Sequence, residues 1–194
     1  GQDSDAGKRI RRALDEMGLR PAAIISTHSH ADHFGGNEYL VRQYPDVHVY
    51  APPIEASIIR APYLEPVYLF HGAKPPVEMT SKWLQAKPSP VHFEVEAGPL
   101  ELAGVRLELL DVRGHAHRML AVKVDDVLLA SDAVFGAATL ERYPLPFGQD
   151  IGAQKAAHDV VAGSGARVVL PGHGEATEDV AGMVAANAAA IARA

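Results

Sequence analysis

An α/β fold, with helices packed on sheets, follows from three features of the 194-residue sequence. Up to Arg60, short apolar runs alternate with segments of helical period. From Val91 onward, a second series of short apolar runs is separated by tight turns. Several of these runs end directly in histidine or aspartate, so the strand ends carry the chemistry.

In chain order, Ser4 and Asp5 suit the caps of a helix over 6–17, with Ile10, Ala13, Leu14 and Met17 on one face. Gly18 ends it, and Arg20-Pro21 leads into a strand over 22–26. A helix over 37–43 is stopped by Pro45; a strand over 47–50 follows, and Pro52-Pro53 opens a helix reaching Arg60. Residues 62–90 break this rhythm with six prolines and with Tyr63, Tyr68, Phe70, Met79 and Trp83, which reads as an insertion or lid. His71, inside it, reads as structural. Strands are expected over 91–95, 100–103 and 105–110, and a hairpin over 120–124 and 127–130 turns at Asp125-Asp126. A helix over 151–162, a strand over 168–170 and an Ala-rich helix over 177–193, read as a surface cover, complete a single domain over 1–194.

Composition excludes several classes. No apolar run approaches the roughly 20 residues of a membrane span, so no transmembrane helix is expected. The net charge is −6 and no basic stretch tracks a phosphate backbone, so nucleic acid is not the expected partner. The chain has no cysteine, hence neither disulfides nor thiolate ligands. It opens almost at once into a helix, without Met or a signal-peptide pattern, as a processed or trimmed product would; the expected location is cytoplasmic.

The densest chemistry is Thr27-His28-Ser29-His30-Ala31-Asp32-His33, followed by Phe34-Gly35-Gly36. It sets three imidazoles and one carboxylate within six residues, directly after an apolar run. In extended backbone residues i and i+2 point the same way, so His28 and His30 can close on one metal ion. Past the turn, Asp32 and His33 can reach a second point a few ångströms off. Imidazole with a hard carboxylate suits zinc, iron or manganese. Three later strands end the same way: Leu109 to Gly114 leads to His115, Val127 to Ser131 to Asp132, and Val168 to Gly172 to His173.

Together, His28-Ser29-His30-Ala31-Asp32-His33, Gly114-His115, Ser131-Asp132 and Gly172-His173-Gly174 resemble the metallo-β-lactamase superfamily of metallohydrolases (the HxHxDH motif), in the right order along almost the whole chain. The resemblance implies a four-layer αβ/βα sandwich with a dinuclear site on one edge. His28, His30 and His115 would bind the first metal, Asp32, His33 and His173 the second, and Asp132 would bridge both. Two departures stand out. The family's first strands, roughly 40 to 60 residues, do not precede the first helix here, and the sheet edge left uncovered offers a route to a homo-oligomer. The turn Gly114-His115-Ala116-His117-Arg118 also lacks the family's usual hydroxyl and second glycine, so His117 and Arg118 are candidate groups beside the metals or for substrate.

The chemistry so implied is hydrolysis by a metal-bridging hydroxide, with two divalent ions about 3.5–4 Å apart, zinc first and manganese or iron as alternatives. Asp32, a ligand with one oxygen left over, would also orient the nucleophile or carry a proton. The substrate class is an ester, thioester, lactone, amide or phosphoester of a small, partly apolar molecule, for which Tyr68 and Trp83 are candidate contacts. Glyoxalase II-like thioesterases carry a further C-terminal domain that this chain does not reach, and β-lactamases often replace the bridging aspartate, which favours a compact general hydrolase. Two other readings stand beside it: a mono-iron persulfide-dioxygenase-like redox enzyme, and a metal-holding scaffold without turnover.

Overall fold

Asp3, rather than Ser4 or Asp5, caps the first helix, α1 (Ser4–Glu16): its carboxylate accepts from the backbone N–H groups of Asp5 and Ala6. The capping residue sits one position earlier than expected because Ser4 already has helical backbone, and an N-cap lies just outside the helix. The computed structural model describes residues 3–81 and 84–193. It divides into two compact units, Gly1–Val95 and Glu96–Ala194.

The first unit is built on a parallel sheet in the order β1 (Ala23–Ile25), β2 (His48–Ala51), β3 (Phe93–Glu94). Parallel neighbours require crossovers. Here α2 (Ala31–Phe34) and α3 (Asn37–Gln43) lie between the first two strands, and α4 (Pro53–Arg60) and α5 (Leu64–Leu69) between the second and third. Val49 and Ala51 are buried from β2, Ala56 and Ile59 from α4, and Phe34 closes the same core. Gly7 of α1 meets Gly36 at the entrance of α3 so closely that a Cβ on Gly7 would lie 2.9 Å from the Gly36 carbonyl oxygen. The 62–90 segment holds α5 and a 3-10 turn at Val77–Thr80. The expected strand over 91–95 narrows to two residues, and Trp83 lies outside the described residues.

The second unit is a five-stranded sheet in sequence order: β4 (Gly98–Leu102), β5 (Val105–Asp111), β6 (Leu120–Val124), β7 (Val127–Ser131) and β8 (Val168–Pro171). The first four strands are antiparallel, and β8 returns parallel to β7. Ala103 and Gly104 both take positive φ (51° and 78°), the tight turn expected between β4 and β5. Between β7 and β8 run α6 (Ala137–Arg142), not foreseen from the sequence, and α7 (Ile151–Gly163); α8 (Val180–Ala192) follows β8. Met119, Ala121, Leu128, Ala130, Ala157, Val161 and Val169 form the core between sheet and helix.

Among the described residues no helix is long and apolar enough to cross a membrane. His158 is buried on the inner face of α7, and that burial holds its imidazole below the usual range, outweighing the Asp159 charge and a hydrogen bond with the Ala133 backbone. The folded chain therefore binds this proton less well than the unfolded chain, so stability present above the unfolded value is lost as pH falls through the lower, folded one. His158→Gln is expected to flatten the loss of stability below about pH 6.5, read as the difference between wild-type and variant urea midpoints across pH.

Candidate metal centre

In the first unit the motif residues fold onto one another because the chain leaves β1 and enters the single turn of α2. The His33 N–H bonds the His30 carbonyl at 2.9 Å, which places Asp32 and His33 on that turn. Ligating atoms of His28 and His30, of His28 and His33, and of Asp32 and His33 lie within 4.8 Å of one another. The His28 ring is edge-on to His30 (centroids 4.7 Å) and tilted against His33 (4.2 Å). His28 is fully buried.

Two struts shape this loop. Glu55, buried on α4, accepts from the Ser29 N–H (2.9 Å) and hydroxyl (2.6 Å), between the two histidines. Asn37 Nδ2 donates to the Ser26 hydroxyl at 2.8 Å. Glu65, on α5, lies with Oε1 3.5 Å from His30 Nε2. Burial pushes its carboxyl up to about 8, helped by the nearby Glu55 and Asp32 charges.

In the second unit, Asp132 Oδ2 stands 3.3 Å from His115 Nε2 and 3.6 Å from His173 Nε2, so one carboxylate oxygen faces two imidazoles. Each of the three follows or precedes a residue with left-handed backbone: Gly114 (φ 129°), Ser131 (φ 53°) and Gly174 (φ 128°). A Cβ on Gly114 would fall 2.3 Å from the Gln154 nitrogen, and one on Gly174 2.7 Å from Gly136 Cα, so both turns need glycine. Ser131 is a non-glycine in that region at a register shift between β7 and β8, strain of the kind stored where a side chain must be aimed.

The ring nitrogens can be told apart. His115 Nδ1 lies 2.8 Å from the Phe147 carbonyl oxygen, which can only accept, so Nδ1 carries the proton. A neutral His115 then turns a lone pair on Nε2 toward the Asp132 carboxylate. Two buried acceptors facing each other are reconciled by a shared cation, and imidazole with carboxylate suits a divalent metal. The donor set therefore suits a divalent metal ion.

Sequence reasoning missed the residues that brace these ligands. Gln154 Nε2 donates to the carbonyls of Asp132 (3.3 Å) and Ala133 (3.0 Å). Asn187 of α8 clamps the Phe135 peptide from both sides, accepting from its N–H and donating to its carbonyl, each at 2.9 Å. The Phe135 ring stacks on His173 (6.4 Å) and meets His115 edge-on (5.8 Å). The signal available was an Asn within an otherwise apolar Ala-rich helix, and a Glu in the α4 run Ile54 to Ile59. His117 and Arg118 are exposed, Tyr68 is half-buried on α5, and His71 is exposed.

Asn187→Ala leaves the Phe135 N–H and carbonyl unsatisfied in a buried place, at a cost of about 2–4 kcal/mol. Urea unfolding is expected to show that loss, and a change under about 0.5 kcal/mol would mean that the clamp is not needed.

The profile of the metallo-beta-lactamase superfamily matches residues 1–173. A hydroxyacylglutathione hydrolase of Crocosphaera subtropica is 44% identical over 48 residues, 25% of this chain and 19% of that protein. A second, of Xanthomonas euvesicatoria pv. vesicatoria, is 24% identical over 133 residues, 69% of this chain and 40% of that protein. The chain thus spans less than half the length of these relatives. A crystal structure of a metallo-beta-lactamase family protein from Thermus thermophilus superposes with a TM-score of 0.69 at 25% identity, covering 95% of this chain and 66% of that one. A metallo-beta-lactamase from Cronobacter sakazakii shares the fold, with a TM-score of 0.68 at 17% identity, covering 98% of this chain and 82% of that one. With its strand-end imidazoles and carboxylates in the family's order, the chain belongs to the metallo-beta-lactamase superfamily.

Proposed function

We propose that this chain is a dinuclear-metal hydrolase acting on a small, partly apolar substrate with a thioester, ester or lactone bond. The observation that carries the reading is the single Asp132 oxygen facing both His115 and His173. A carboxylate so placed suits a bridge between two cations. In this reading His28, His30 and His115 would hold the first ion, Asp32, His33 and His173 the second, and Asp132 would serve both. Zinc is the best match to imidazole-rich donors without thiolate.

When bound, such a pair supplies Lewis acidity and a water of lowered pKa. The protein's own groups do the rest. Asp32, on the α2 turn beside His33, orients the attacking water toward the carbonyl carbon, accepts its proton, and passes that proton to the leaving sulfur or oxygen as the C–S or C–O bond breaks. The Phe147 carbonyl keeps the His115 proton on Nδ1, so the imidazole stays a ligand and does not compete as an acid. The side chains of Tyr143, Leu145 and Phe147 are exposed in the loop that carries this carbonyl and offer apolar surface to the substrate's non-reacting part. Tyr68, on α5, is assigned to specificity rather than chemistry. The thioester stands first because the two relatives described above are named hydroxyacylglutathione hydrolases.

The test is a panel of small thioesters, lactones and esters with the zinc-loaded 194-residue chain. Asp132→Ala and His115→Ala are each expected to lower kcat/KM by at least about 100-fold, close to 2.7 kcal/mol. A chelator should abolish turnover and added zinc restore it. Undiminished hydrolysis by the chelated chain, or by either variant, would overturn the assignment.

A further inference from the structure

Glu65 carries a buried carboxyl group, 2% exposed, whose Oε2 has no hydrogen-bond partner among the described residues. Buried carboxylates are normally satisfied, and one that is not calls for an explanation beyond packing. The Ser29 N–H and hydroxyl of the neighbouring loop are already taken by Glu55. What Glu65 does face is an imidazole edge, with its Oε1 3.5 Å from His30 Nε2.

An imidazole has two nitrogens, and the partner of one decides what the other offers. An acceptor oxygen at Nε2 holds the proton there, which leaves Nδ1 with the lone pair that a cation needs. It also fixes the rotation of the ring, the usual service of a carboxylate placed behind a metal-binding histidine. We propose that Glu65 is the positioning residue of His30, holding the Nε2 proton so that Nδ1 is presented to a divalent cation. This rests on reading His30 as a metal ligand. It gives the 62–90 segment a definite task, because α5 delivers the carboxylate from outside the His28–His33 motif.

The experiment is competition for Zn2+ between the purified chain and a chromophoric chelator, with the absorption spectrum of the Co2+-loaded chain as a second readout. Wild type, Glu65→Gln, Glu65→Ala and His30→Ala are compared, together with the melting temperature of each metal-free form. Glu65→Ala is expected to weaken the tighter Zn2+ site about 10- to 100-fold and to shift the Co2+ ligand-field bands. Glu65→Gln keeps an acceptor for the Nε2 proton, so it should recover part of that loss. The metal-free melting temperature of Glu65→Gln should equal or exceed that of wild type, because the amide keeps the shape of the carboxyl and cannot ionise in a buried place.

Zn2+ affinity and Co2+ spectrum unchanged in both Glu65 variants would overturn the proposal while leaving the metal site intact. So would a Glu65→Gln chain whose metal-free form melts lower in step with its affinity, since that marks a packing role. If wild type takes up no Zn2+, or His30→Ala binds it as wild type does, the proposal falls with the reading of His30 as a ligand. The His30→Ala result separates the two failures.

Discussion

A carboxylate oxygen held between two imidazole nitrogens is the constraint on which the second unit depends. Asp132 is buried, and its Oδ2 lies 3.3 Å and 3.6 Å from His115 and His173. Such a group is costly to bury unless something compensates its charge. The local structure is spent on holding it there. β7 shifts register and Ser131 takes a left-handed φ to aim it, and Gln154 ties down the carbonyls behind it. The two histidines turn on glycines that no other residue could replace without meeting backbone. The Gly114 carbonyl accepts from the N–H groups of Gln149 and Asp150 at 2.7 and 2.9 Å, which locks the His115 turn onto the start of α7.

The first unit solves a related problem with a different device. Its four candidate ligands come from one short stretch, so their spacing is set by a strand end and a helical turn rather than by several strands. Extended backbone at His30 and helical backbone from Ala31 turn the histidines and Asp32 in different directions. The cost is a loop that the sheet alone does not hold. Glu55, reaching across from α4, and Asn37, from the start of α3, supply what the sheet does not. Rigid placement by neighbouring side chains is what lets a site act without reorganising.

Candidate ligands are easier to see in the sequence than the residues that support them, for a physical reason. Ligand spacing is local: His28, His30, Asp32 and His33 are neighbours in the chain, and Gly114-His115, Ser131-Asp132 and Gly172-His173 follow apolar runs that declare themselves as strands. The strands at 105–110, 120–124 and 127–130, and the turn at Ala103-Gly104, follow from apolar runs and from the turn residues between them. Supports are non-local. Glu55 and Glu65 look like any solvated helical glutamate until α4 and α5 bury them, and Asn187 looks like a surface residue in a helix read as a cover, although it bonds a peptide 52 residues away. The six-residue α6 was missed because so short a helix has no period to read, and the strand at Phe93–Glu94 was overdrawn because an apolar run can be buried without being paired.

The central claim is that these strand-end imidazoles and carboxylates form a two-ion site. Elemental analysis of the chain purified without chelators tests it most directly. The account predicts close to two divalent ions per chain, zinc foremost, falling to one or none when Asp132 is replaced by alanine. A folded chain that carries no metal after exposure to excess zinc, or one that holds a single iron and accepts no second ion, would contradict it.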